Sequence, residues 1–184
     1  MRKSFTSQNY SLLQLWSLVI LRVLIGWYFL YEGLVKFLNP NWTSLGYLKD
    51  SQGWFSPVFN FITEHDFLMT LADNVNIYGL TIIGLLLIVG LFTKVAGFGA
   101  ISLLAMYYLS HPPLLNAVYM LPTEGSYLWI DKNIIMLCAV VVLILFPTST
   151  QIGLDRIIFK KKKKQLKIIF FFRRCLLKNP RIVC

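Results

Sequence analysis

Four stretches of this chain are apolar almost without interruption: Leu12–Leu38, 75–92, 95–110 and 127–146. A bilayer-crossing helix needs about 20 such residues. The first stretch is long enough even when tilted, and the fourth is the cleanest. The second and third are shorter and separated only by Thr93 and Lys94, which predicts a tight helical hairpin. The expected fold class is an all-α membrane protein, a four-transmembrane-helix bundle. The 39–74 connection adds one further element. Ser56 followed by Pro57 reads as a helix start. With Trp54, Phe55, Phe59 and Phe61 nearby, the segment suits a short external interfacial helix ending near Glu64–Asp66. An ordinary structured loop is the alternative.

Along the first stretch, Arg22, Gly26, Phe29, Gly33 and Lys36 recur in steps of four, three, four and three, which places them on one helix face. Glycines there admit a close neighbour, so this face should be buried against protein. Gly79, Gly84, Gly90, Gly97 and Gly99 suit the same close packing in the central hairpin. An ionised side chain in lipid costs about 2.5–3.5 kcal/mol on insertion scales, so Arg22, Glu32 and Lys36 each need a partner or water. Arg22 lies about 15 Å deeper than Glu32 by helical rise. It either snorkels or donates to carbonyls of a neighbouring helix.

Composition fits this picture: 57% of the 184 residues are hydrophobic, and the mean hydropathy is +0.63. The net charge of +10 is unevenly placed. Eleven basic residues and no acid follow from Arg156 onward, leaving residues 1–155 with a net charge of −1. Such a tail suits a lipid surface better than nucleic acid, which would need the patch displayed on a fold. Two accounts of residues 160–184 stay open: a cytoplasmic lipid-binding tail with Cys175 as an acylation site, or an incidental extension outside the functional domain of residues 1–159.

Lys and Arg in the short connections set orientation. Arg2, Lys3, Lys94 and the tail fall on one side of a four-span chain, so both termini should be cytoplasmic. The basic N-terminus before a long apolar run, with no small-residue cleavage site, reads as an uncleaved first span. Residues 39–74 and 111–126 are then external. That topology gathers polar residues from four helices just under the outer face: Glu32 and Lys36, Asn76, His111, then Asp131, Lys132 and Asn133. Glu32 and Lys36 are spaced for an i, i+4 ion pair, which could be merely structural or part of a binding site. His111, fixed at a helix end by Pro112 and Pro113, carries the same two readings. Cys138, Cys175 and Cys184 form no Cys-x-x-Cys pair, and two histidines far apart make a poor haem or metal site, so no metal is expected.

The segments LRVLIGWYFLYEGLVKFLNP, YGLTIIGLLLIVGLFTKVAGFGA, YYLSHPP and GSYLWIDKNIIMLCAVVVLILFP, then GLDRIIF, resemble DoxX/DoxD proteins. The likeness covers about residues 12–159 and is carried by an R-x₃-G-x₆-G-x₂-K spacing, with SHPP and DKN following in order. It implies a small four-helix protein of a bacterial or archaeal plasma membrane. It further implies a subunit of thiosulfate:quinone oxidoreductase, with thiosulfate oxidised externally and electrons passed to quinone as co-substrate. A second subunit would be the partner, and no covalently bound cofactor is implied. Lys36, Lys132 and a protonated His111 could then hold the sulfur dianion, and aromatic residues could border the quinone. The competing reading is a non-enzymatic membrane scaffold for exported redox proteins. A small-molecule carrier, which four helices would build only as a homo-oligomer, is the third.

Overall fold

The computed structural model describes residues 10–113, 119 and 129–158. Residues 1–9, most of 114–128 and the basic tail from 159 lie outside the described residues, and with them the N-terminal charges and the expected start of the fourth span at Tyr127.

Helix α1, Leu12–Leu38, matches the first apolar stretch. Ser11 and Gln14 form a capping box at its start, each side chain bonding the other's backbone N–H. Its buried residues include Arg22, Gly26, Phe29 and Gly33, the face that periodicity selected. Three helices follow in the connection: α2 (Leu45–Lys49), α3 (Ser56–Thr63, with proline in its first turn) and α4 (Asp66–Asn74). The structure bears out the short helix at Ser56; α2 and α4 were not anticipated. Helix α4 runs without a break through a π-helical turn, Val75–Gly79, into α5, Leu80–Val89. The second apolar stretch is therefore the far end of a longer helix, Asp66–Val89, rather than a span beginning at Val75.

The hairpin turn also differs from expectation. Gly90 caps α5 in the left-handed region (φ +70°) and Phe92 shares it (φ +46°). Thr93 and Lys94 are the first residues of α6, Thr93–Ser110, and not the turn. Helix α7, Lys132–Leu145, begins with Asp131 as N-cap, its carboxylate accepting from the Ile134 N–H at 2.9 Å. Two helices, Leu12–Leu38 and Asp66–Val89, are long and apolar enough to cross a membrane; α7 is apolar but shorter.

Small residues set the packing. A Cβ on Gly84 would lie 2.4 Å from the Leu30 backbone nitrogen, and one on Gly33 would lie 2.7 Å from that of Thr81. So α1 and α5 touch backbone to backbone, as glycine seams allow. At Gly97 of α6 the close neighbour is instead a side chain: a Cβ there would lie 2.6 Å from a side-chain carbon of Ile144 on α7. Phe29, Leu80, Leu87, Ala100, Leu104 and Val140 fill the core between these helices. Gly79, by contrast, has only ordinary contacts, so the hairpin glycines do not act alike.

Arg22 closes the hairpin end. It is 4% exposed and donates to Thr148 Oγ1 (3.1 Å) and the Ile152 carbonyl (2.9 Å). It donates to the segment after α7, rather than snorkelling to a surface. Asp155 in that segment accepts from the Phe92 N–H at 2.9 Å, and Thr93 shares a hydrogen bond with Ser149 at 2.8 Å. The chain beyond α7 thus stitches the α5–α6 turn to α1, which fixes the depth of every residue at the opposite end.

Candidate functional site

At that opposite end, α1, the π-helical turn, α6 and α7 diverge around a cavity of about 630 Å³. Residues 42–50 form one of its walls, and Phe59 and Ile62 of α3 contribute to another. Five of the residues singled out from sequence line it: Glu32, Lys36, Asn76, Lys132 and Asn133. The helix breaks and periodicity that suggested a shared level do bring them together.

Lys36 has the most developed surroundings. Its ammonium sits 3.5 Å from a Glu32 carboxylate oxygen, with the lysine side chain 17% exposed and the glutamate 42%. The same ammonium lies over the rings of Trp42 (5.4 Å to the centroid) and Tyr107 (5.8 Å). Ring faces are electron-rich, and each such contact contributes about 0.5–2 kcal/mol depending on desolvation. The Tyr107 hydroxyl donates to the Asn76 side-chain oxygen, and Asn76 donates back to the Ala72 carbonyl at 3.0 Å. A π-helical turn carries one extra residue, which shifts the phase of the helix locally. Here it holds Asn76 against Tyr107.

His111 and Asp131 stand apart from this group. His111, the C-cap of α6, stacks on the Tyr47 ring (centroids 3.9 Å apart), and its Nδ1 pairs with Ser110 Oγ at 3.0 Å. Its Nε2 is 3.7 Å from an Asp50 carboxylate oxygen. Burial pulls the imidazole below its ordinary pKa, with Asp50 opposing, so it is neutral near pH 7. His111 does not line the cavity that Lys36 and Lys132 share. The Asp131 carboxylate bonds to the Ile134 N–H and to Asn133 Nδ2 (2.7 Å), capping α7. Sequence reasoning missed Trp42, Tyr47 and Asp50 as wall residues; their only signal was an aromatic–acidic composition inside a connection whose folding it could not see. Among the described residues no group of three His, Cys, Asp or Glu side chains could hold a metal ion, and Cys138 on α7 is a free, exposed thiol.

The family model for DoxX matches residues 17–112, just over half of the sequence. The chain belongs to the DoxX family. The match takes in most of α1, residues 39–74, the π-helical turn, α5, α6 and His111, and so covers the cavity-lining residues other than Lys132 and Asn133. It ends before α7. No curated protein and no solved structure matches the chain. DoxX proteins are membrane proteins, and the two long apolar helices are consistent with that setting.

Proposed function

We propose that this DoxX protein is the membrane subunit of a redox assembly, its cavity receiving a quinone headgroup at the external face. In this reading it spans the bilayer four times with both termini cytoplasmic. The bundle supports the four-span arrangement by what it leaves uncovered. Leu24 and Trp27 on α1, Ile82 and Leu85 on α5, Val95 and Phe98 on α6, and Ile135 and Leu145 on α7 are all exposed. Four helices that share one core and turn apolar side chains outward suit a lipid surround.

The observation that carries the ligand reading is the cavity itself. Its walls combine aromatic side chains (Tyr28, Trp42, Tyr47, Tyr107) with two cations, Lys36 and Lys132, and two carboxylates, Glu32 and Asp50. The formal charges balance, which favours a neutral ring bearing hydrogen-bond-accepting oxygens over a small dianion. Lys36 would donate to such an oxygen while the rings flank the ligand. Thiosulfate oxidation would then take place on a partner subunit outside this cavity.

The test is thiosulfate-dependent quinone reduction in membranes with and without the protein. The expected result is activity that requires the chain together with its partner and falls at least tenfold in Lys36→Met. A scaffold for exported redox proteins is the second reading, favoured by the bare aromatic edge at Trp54 (93% exposed) and Phe67 (78%). Under it, Lys36→Met would leave electron transfer unchanged while changes at Trp54 and Phe67 would reduce recovery of the assembly.

A further inference from the structure

We propose that the cavity opens sideways into the bilayer through a gap between the π-helical turn and α6. Its ligand is then a lipid-dissolved amphiphile whose hydrocarbon chain lies in that gap. The inference rests on the cavity being the ligand site and on the four-span setting, and it concerns the route and the ligand class rather than electron transfer.

Two residues belong to the cavity and to the outer surface at once. Val75, which opens the π-helical turn, and Met106 of α6 both line the cavity, yet they are 44% and 47% exposed. Lining the cavity does not by itself expose an apolar side chain, since Leu48, Phe59 and Leu103 line it too and stay buried. Each of the two also continues an exposed stripe at helical spacing. Val75 follows Phe67 and Leu71 and precedes Tyr78 and Ile82; Met106 follows Phe98 and Ser102 and precedes Leu109. These stripes are the surface that the bundle turns toward lipid.

The two residues flank one seam. Nearer the α5–α6 turn that seam is tight: a Cβ on Gly99 would meet the Ile83 side chain at 3.1 Å. At Gly79 it loosens, where a Cβ would lie 3.8 Å from Leu103 Cδ1 and 3.9 Å from Val75 Cγ1. Val75 therefore stands on the α6-facing side of its helix, one turn above this contact. Met106, three residues after Leu103, stands one turn above it on the side of α6 that faces back. At that level the Tyr107 hydroxyl donates to the Asn76 side chain across the seam, and both residues line the cavity. Met106 has an unbranched, flexible side chain that can move aside.

Depth decides what the gap meets. By helical rise Val75 and Met106 each stand about 20 Å from the α5–α6 turn, along their own helices. The hydrocarbon core of a bilayer is about 30 Å thick. With the turn at its cytoplasmic edge, the gap faces acyl chains of the outer leaflet. Behind the gap are the Lys36 ammonium and its aromatic neighbours, and in front of it is lipid. A polar headgroup can reach Lys36 by this route while its chain stays in hydrocarbon and is never drawn into water. A small hydrophilic ion gains nothing from it, because it would first have to shed its water.

The experiment is photolabelling of the full-length protein in nanodiscs whose phospholipid carries an alkyl diazirine within an acyl chain, read by peptide mass spectrometry. Label is expected on Leu103 and Tyr107 inside the cavity as well as on Ile82 and Phe98 outside it. Val75→Trp and Met106→Trp each narrow the gap from one side at an exposed position. Each should lower the cavity label at least threefold relative to the label on Ile82 and Phe98, which reports a folded, inserted protein. Label confined to the outer stripes, or cavity label that survives narrowing from both sides, overturns the lateral opening. The probe carries no quinone, so a failed quinone assay leaves a positive result standing. Quinone reduction that depends on Lys36 without cavity label would remove the lateral opening alone.

Discussion

At the residue scale, the Glu32–Lys36 pair shows how far sequence spacing reached. The i, i+4 spacing announced the ion pair, and the structure forms it at 3.5 Å. What spacing could not show was the asymmetry of its two ends. Lys36 is enclosed by Trp42 and Tyr107, whereas Glu32 is half-open to its surroundings. Neutralising Glu32 therefore strands a buried cation, while removing Lys36 leaves a carboxylate that can hydrate. Glu32→Gln should cost ~1–3 kcal/mol, the range for a buried polar group left uncompensated, and Lys36→Met should cost less. The double change should be better tolerated than Glu32→Gln alone. Thermal unfolding of the four purified proteins checks this; strictly additive losses would show the pair to be uncoupled. Asp131 marks the limit of the same logic. Its place beside Lys132 and Asn133 suggested a member of the cluster, but a helix start required an N-cap, and its carboxylate serves that role.

At the element scale, the long regular helices were legible and the connections were not. Apolar length and the glycine face fixed α1 to the residue, because a 27-residue helix must bury one face whatever surrounds it. The second span was misjudged because its first two turns, Asp66–Asn74, carry two aspartates and an asparagine that read as loop. Asp73 is polar there because its carboxylate accepts from Thr43 and Ser44 at the start of the connection, a tertiary role that no local pattern reports. The α1–α5 seam makes a sharp prediction. Gly84→Ala would put a methyl carbon 2.4 Å from the Leu30 nitrogen and 2.7 Å from the Gly26 carbonyl oxygen. The helices must then part, at ~1–3 kcal/mol, the usual cost of overpacking. Gly46→Ala in α2, where a Cβ meets open space, should be neutral or stabilising by up to ~1 kcal/mol, the helix-propensity gain of alanine over glycine. Denaturation in a mild detergent should separate the two variants clearly; equal effects would mean that the seam is not close-packed.

At the scale of the whole molecule, the arrangement is polar at both ends and apolar between them. One end holds the cavity with its ionised walls, and the other holds Arg22, Thr93, Thr148, Ser149 and Asp155, all buried. Core residues from Ile25 to Leu143 separate the two ends. A four-span topology places the cavity outside and the Arg22 lock near the cytoplasm, and this can be tested directly. In a chain with its three cysteines replaced by serine or alanine, Asn41→Cys and Thr150→Cys each introduce a thiol at an exposed position, one at each end of the bundle. An impermeant maleimide applied to intact cells should modify the first, and the second only after the membrane is opened. The buried lock makes this a rigid-body question, because Thr150 cannot change sides without breaking the Arg22 bonds to Thr148 and Ile152. If both positions react from outside, the helices between them do not all cross the membrane, and the four-span arrangement is overturned.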